Sequence, residues 1–276
     1  MFLTKKGFWK IVIVAVVCFV SGSISFAGGM LSVMLGSNAG TLFLLGAVTY
    51  TIAVFSIFWG RYAEGKGQLI NTGNKLVRNE LRPAEFIKEY ENLKNTPDLV
   101  VKKPDLEVLQ LVAAAYDSLA DKEHALATVD EMIAIARPKK EAYVKLIKAS
   151  HLYAYHETEA AEQLFTEVQR LKPDLMAIAL MDSVLKDDRA MAMGDYRVVE
   201  AYCLKLLDQK FPKLDRLGRV FTHHRLGNVY AKLEESEKAV LHYQYCVEHG
   251  GETALKASAK AAMESLKQIT QNEQNG

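Results

Sequence analysis

The residues of this chain whose types could do chemistry are its histidines, its cysteines and a few acidic pairs, and their spacing decides what they can do. His223 and His224 are adjacent; on a helix they point about 100° apart and cannot ligate one metal ion from that helix. His242 and Cys246 are four apart and share a helix face, but a lone thiol on an apolar face is a core residue before it is a ligand. His151 and His156, five apart, fall on different faces. Asp187-Asp188 and Glu234-Glu235 stand where helices should end or turn, and they are expected to be solvated. No metalloprotease His-Glu-x-x-His, paired Cys-x-x-Cys or Gly-x-Ser-x-Gly motif occurs. Gly60-Arg61-Tyr62-Ala63-Glu64-Gly65-Lys66-Gly67 imitates the start of a phosphate-binding loop. It has Gly67 where a Ser or Thr must hold magnesium, and an apolar run instead of a strand precedes it. The sequence therefore predicts no catalytic residue, no metal, no cofactor and no enzyme.

The elements around these residues begin with a run that carries no Asp, Glu, Lys, Arg or His between Lys10 and Arg61. One bilayer crossing needs ~20 apolar residues, so the run suffices for two. It breaks at Gly36-Ser37-Asn38-Ala39-Gly40-Thr41, which predicts a membrane hairpin over 1–60, with spans 8–35 and 41–59. Lys5, Lys6 and Lys10 flank one end and Arg61 and Lys66 the other. Cations stay on the cytoplasmic side, so both termini are expected in the cytoplasm of a bacterial-type cell, below its plasma membrane. Trp9 and Trp59 suit the two interfaces. A cleaved signal peptide ending near Ser25-Phe26-Ala27 is the rival reading, and the second span would still leave the remainder cytoplasmic. Small residues recur at four-residue spacing, as Ser21, Ser25 and Gly29 and as Gly28, Ser32, Gly36 and Gly40. That spacing lets helices approach closely, either between the two spans or between copies in a homo-oligomer. The absence of ionisable groups in the run argues against a transporter.

The net charge of +1 hides a split: a weakly basic stretch over 61–105 and an acidic body over 106–276. No basic stripe marks a nucleic-acid partner. Three scattered cysteines, Cys18, Cys203 and Cys246, suit a reducing compartment. Residues 61–105 read as a neck, bent at Gly65, Gly67 and Gly73, with a short helix holding Phe86, Ile87, Tyr90 and Leu93 before the break at Asn95-Thr96-Pro97-Asp98. Leu99-Val100-Val101 is too brief to build a sheet.

From Leu106 onward the pattern is helix after helix, so the expected fold class is all-α. Leu226-Gly227-Asn228-Val229-Tyr230 is followed by Ala239, Tyr243 and Cys246. This pattern resembles the tetratricopeptide repeat over about 220–253. A second unit over 106–139 has Ala113, Tyr116 and Ala125 in the same frame, and a third over 142–175 has Ala149, Leu152, Ala161 and Phe165. A fourth helix pair turns at Gly194-Asp195-Tyr196, and its first helix, with Lys186-Asp187-Asp188-Arg189, lacks the small-residue signature. Ala254 to Ile269 reads as the polar capping helix of such an array. Domain 106–276 is thus expected to be an α-solenoid of about four helix pairs plus a cap.

The resemblance implies a concave surface lined by the first helix of each pair. Residues expected on it are Gln110 and Asp117; Tyr143, Leu146, Ser150 and Tyr153; and Phe221, His224 and Asn228. Aromatic anchors beside polar groups suit capture of a peptide or helix, although some of these residues could instead cap the stack. Only Asn228 matches the clamp that chaperone-tail binders of this family use, so that ligand is not expected. The sequence thus points to a membrane-anchored adaptor or scaffold whose partners are proteins or peptides, alongside the lipid bilayer. The alternative is an assembly factor acting through oligomerisation of the membrane hairpin.

Overall fold

The computed structural model describes residues 3–4, 30, 34, 48, 51, 69–95, 99–101, 105–171, 173–210 and 213–275. The chain divides into two compact units, Met1–Ile70 with Glu91–Pro104, and Asn71–Tyr90 with Asp105–Gly276. In the first, Leu3–Thr4 (β1) pairs antiparallel with Leu99–Val101 (β2) in an irregular two-stranded ladder. The stretch read as too brief for a sheet therefore does find one strand partner. Both expected membrane spans and all seven small packing residues lie outside the described residues, apart from Met30, Met34, Val48 and Thr51 within the spans, which are helical. Among the described residues no helix is long and apolar enough to cross a membrane.

The second unit is all-α. It opens with a π-helical segment, Asn74–Glu80, and with α1 (Pro83–Lys94), whose Phe86 and Tyr90 are buried. Gly73 is not the bend expected of it. It has helical dihedrals, and a methyl in its place would lie 2.8 Å from Leu111 and 2.9 Å from Phe86. The stretch read as one neck is divided: 71–90 packs as part of the helical unit.

Four helical hairpins follow. They are α2 (Leu106–Ser118) with α3 (Lys122–Ile135), α4 (Glu141–Ala154) with α5 (Thr158–Gln169), α6 (Leu175–Val184) continuing into α7 (Ala190–Met193) and then α8 (Tyr196–Asp208), and α9 (Arg216–Lys232) with α10 (Ser236–His249). The helix α11 (Ala254–Asn275) closes the series against α10 and α9. Aspartates start three of the first helices: the side chains of Asp105, Asp174 and Asp215 accept from the backbone N–H of Glu107, Ala177 and Gly218. Each satisfies a donor the first turn would leave unpaired.

The turns inside the four hairpins are built alike. A left-handed residue, namely Ala120, His156, Gly194 or Glu234, reverses the chain. The next N–H bonds back to the carbonyl five residues earlier: Asp121 to Tyr116, Glu157 to Leu152, Asp195 to Ala190 and Glu235 to Tyr230. This is the left-handed helix ending that satisfies otherwise orphaned carbonyls. Only one of the four left-handed residues is glycine, so the other three turns hold a strained backbone that packing must offset.

Small residues set the helix crossings. Ala125, Ala161 and Ala239 are fully buried, and Ala113, Ala149 and Gly227 twelve residues before them are buried too. At Gly227 a methyl group would stand 2.5 Å from the Tyr243 ring. In the third hairpin the residue twelve before buried Val199 is Asp187, and there the helix widens to a π turn over Leu185–Arg189. Gly227→Ala is expected to destabilise the domain by about 1–3 kcal/mol through overpacking. Gly194→Ala, which meets nothing within 4 Å, should cost only about 1–2 kcal/mol from its left-handed backbone. Urea unfolding of the two variants checks the order, and equal losses would contradict the crossing argument.

Candidate functional site

The first helices of the second, third and fourth hairpins meet at a charged centre. Arg225 on α9 is nearly buried, its side chain 11 % exposed, between Asp187 and Asp188 of the π turn, at 12 % and 11 %. Its guanidinium donates to Asp188 Oδ1 through Nη2. Its Nε lies 2.9 Å from Asp187 Oδ1 but off the hydrogen-bond axis, so that contact is Coulombic. Ser150 Oγ on α4 donates to the other oxygen of Asp188. The Phe221 ring, one turn before Arg225 on α9, lies 5.1 Å below the guanidinium carbon, a cation–π distance.

These contacts correct the reading of Asp187-Asp188 as a solvated pair. Two carboxylates share one guanidinium, leaving one negative charge in excess in a buried site. Burial pushes the Asp187 carboxyl up to about 6, the Asp188 charge adds to the rise, and Arg225 opposes it. A second network flanks this centre. Glu162 accepts from the Tyr153 hydroxyl at 2.8 Å and from Arg189. Arg189 holds the Glu162 carboxyl below the usual carboxylate range.

The nine residues expected on one open face do different things. Phe221 is 40 % exposed, and Ser150 joins the charged centre. Gln110 donates to the Tyr143 hydroxyl at 3.2 Å, and Lys140 stands 5.6 Å above that ring, so these two form a patch across α2 and α4. Asp117 is taken up by the Tyr155 hydroxyl and by His151 at 2.8 Å. Leu146 and Tyr153 do not face a groove: both are buried in a cluster with Ala142, Ala149 and Phe165. They continue the apolar stripe of α4, and tertiary packing claims that stripe first. His224 points at Ser258 of α11, 3.0 Å away, and burial pushes its pKa down to about 4. Asn228 accepts from the Tyr243 hydroxyl at 2.7 Å. These last two residues serve the packing of α9 on α10 and α11, the capping role left open by the sequence.

His223 turns away from His224, as adjacent helical residues must. Its Nδ1 is 2.9 Å from Nδ1 of His242, and its ring stacks on Tyr245 at 3.8 Å. Cys246 sits in the core, where its thiol donates to the Val220 carbonyl at 3.3 Å and burial pushes it up to about 12. Among the described residues no group of three or more His, Cys, Asp or Glu could hold a metal ion. No family model matches the chain, and no curated protein or solved structure proved detectably similar to it.

Arg225 and the paired aspartates escaped the sequence reading because the partners are 37 residues apart. The available signal was the twelve-residue spacing from Asp187 to Val199, which puts a charge at a helix crossing. Arg225→Met should destabilise the domain by about 3–5 kcal/mol, since it strands two buried carboxylates. A loss under about 1 kcal/mol in urea unfolding would show that the cluster is solvated after all. Asp187→Asn should behave oppositely. The raised carboxyl pKa confers stability below about pH 4 that is lost as the pH climbs through about 6. Stability of wild type relative to Asp187→Asn should therefore fall across that window, and a flat difference would count against a raised pKa.

Proposed function

We propose that this chain is a membrane-anchored adaptor whose tetratricopeptide-like hairpins bind a protein or peptide at the cytoplasmic face. The observation that carries this reading is the repeated hairpin: four turns of one construction, with small residues at matching crossings in three pairs. Stacked hairpins of that kind present the first helix of each pair along one continuous surface. The uncharged run between Lys10 and Arg61 supports the anchor, and its flanking cations support a cytoplasmic domain.

A binding role also suits the chemistry of the first helices. Their buried charge is committed internally, as Arg225 is to Asp187 and Asp188. What they leave to a partner is an aromatic and polar surface around Phe221 and around Gln110 with Tyr143. Aromatic side chains of this kind anchor interfaces at low entropic cost.

A photo-crosslinking residue placed at Phe221 of the full chain, in cells of its own organism, tests this. A discrete adduct should form there and not at Leu241, an exposed site on the second helix α10. Equal labelling at both sites, or none at Phe221, would refute the assigned surface.

A further inference from the structure

The short connections place the two kinds of turn at opposite ends of the helices. Contacts within and between hairpins agree with this arrangement. Lys140 at the start of α4 meets Asp174 at the start of α6 at 2.8 Å, and within the fourth hairpin Arg216 at the start of α9 bonds to the His249 carbonyl at the end of α10. At the other end, Arg197 meets Glu235 at 2.7 Å and Lys122 meets Glu157. The two edges differ in charge. Turns within hairpins carry Asp121, Glu157, Asp195, Glu234 and Glu235. Turns between hairpins carry Arg137, Lys139 and Lys140, then Arg170 with Asp174, then Lys210 and Lys213 with Asp215.

The acidic edge has a local explanation, because four of its five carboxylates stand at helix N-termini. The basic edge is less fully explained that way. Among the described residues Arg137, Lys139, Arg170, Lys210 and Lys213 are exposed and form no ion pair with a carboxylate. The carboxylates beside Arg137, Lys139 and Arg170 are already occupied, Asp174 by Lys140 and Glu141 and Glu167 by Lys145, while exposed Asp208 stands two residues before Lys210.

The same edge exposes three large apolar side chains in one helical turn. Leu175 is 86 % exposed, Met176 53 % and Ile178 52 %, all in the first turn of α6. The Met176 sulfur is 3.3 Å from Lys140 Nζ, and Ile135 is exposed at the end of α3 just before Arg137. The segment that follows the uncharged run in the sequence also joins the unit on this edge. Arg78 pairs with Asp215 at 3.3 Å, and the Leu81 carbonyl accepts from Glu252 N–H at 3.0 Å.

We propose that this edge docks on the anionic surface of a lipid bilayer, with Leu175, Met176 and Ile178 entering the headgroup region and Arg137, Lys139 and Arg170 pairing with lipid phosphates. The inference rests on the membrane-anchored reading given above. Apolar side chains rimmed by cations are the chemistry of peripheral binding to anionic bilayers. A soluble acidic protein would satisfy the cations alone and would leave three large apolar side chains without a role. A second copy would bring the same basic rim against itself.

The test uses the full chain in nanodiscs of neutral phosphatidylcholine, or with about 30 % phosphatidylglycerol, read by amide hydrogen exchange. Residues 137–142 and 174–180 should exchange about tenfold more slowly in the anionic discs. The triple variant Arg137→Glu, Lys139→Glu, Arg170→Glu should abolish that difference, and so should Leu175→Glu, both with unchanged melting. Equal exchange in the two discs overturns the proposal. Protection that grows with protein concentration overturns it in favour of a second copy. Carbonate extraction reports separately on the anchor. A chain that washes out of both discs refutes the anchor, and its salt-sensitive flotation with anionic vesicles then decides the docking edge.

Discussion

Close approach of two helices at a small residue is the constraint on which the helical unit depends. A single helical hairpin cannot bury its apolar face alone, so its energy comes from the neighbouring pair. That neighbour is aligned only if each crossing keeps its distance and each turn keeps its angle. Gly227 against Tyr243 fixes the distance in the fourth hairpin, and alanines do so in the first two. The left-handed turn residues fix the angle in all four.

The third hairpin meets the same constraint with the wrong residue. Asp187 is larger than alanine and charged, so the helix widens where it crosses, and Arg225 is drawn in from the next hairpin to neutralise it. An ordinary apolar crossing would have served packing at lower desolvation cost. What the charge adds is registry. Ser150, Asp188 and Arg225 come from three successive first helices and fit together in only one relative placement.

Much of this was legible in the sequence where local rules suffice. The succession of helices from Leu106 to Ile269 follows from 3.6-residue periodicity, and the crossings at Ala125, Ala161 and Ala239 follow from spacing. The open face was less legible. Leu146 and Tyr153 were read as surface because the repeat frame alone does not say how deeply the stripe of α4 is covered. Asp187 and Asp188 were read as solvated because polarity usually marks a helix end, and only the fold brings Arg225 to them. Gly73 read as a bend because glycine usually is one, whereas Leu111 and Phe86 require its missing side chain.

The segment 71–90 touches both ends of the hairpin series. Gly73 lies against Leu111 of the first hairpin, while Arg78 and Leu81 hold Asp215 and the Gly251–Glu252 turn of the last. Solenoids generally stretch like springs, each unit yielding in turn when one end is pulled. Here the strap ties the first coil to the last. Tension arriving along the chain from its N-terminal side would load both terminal hairpins together, so the domain should resist as one body and then fail abruptly.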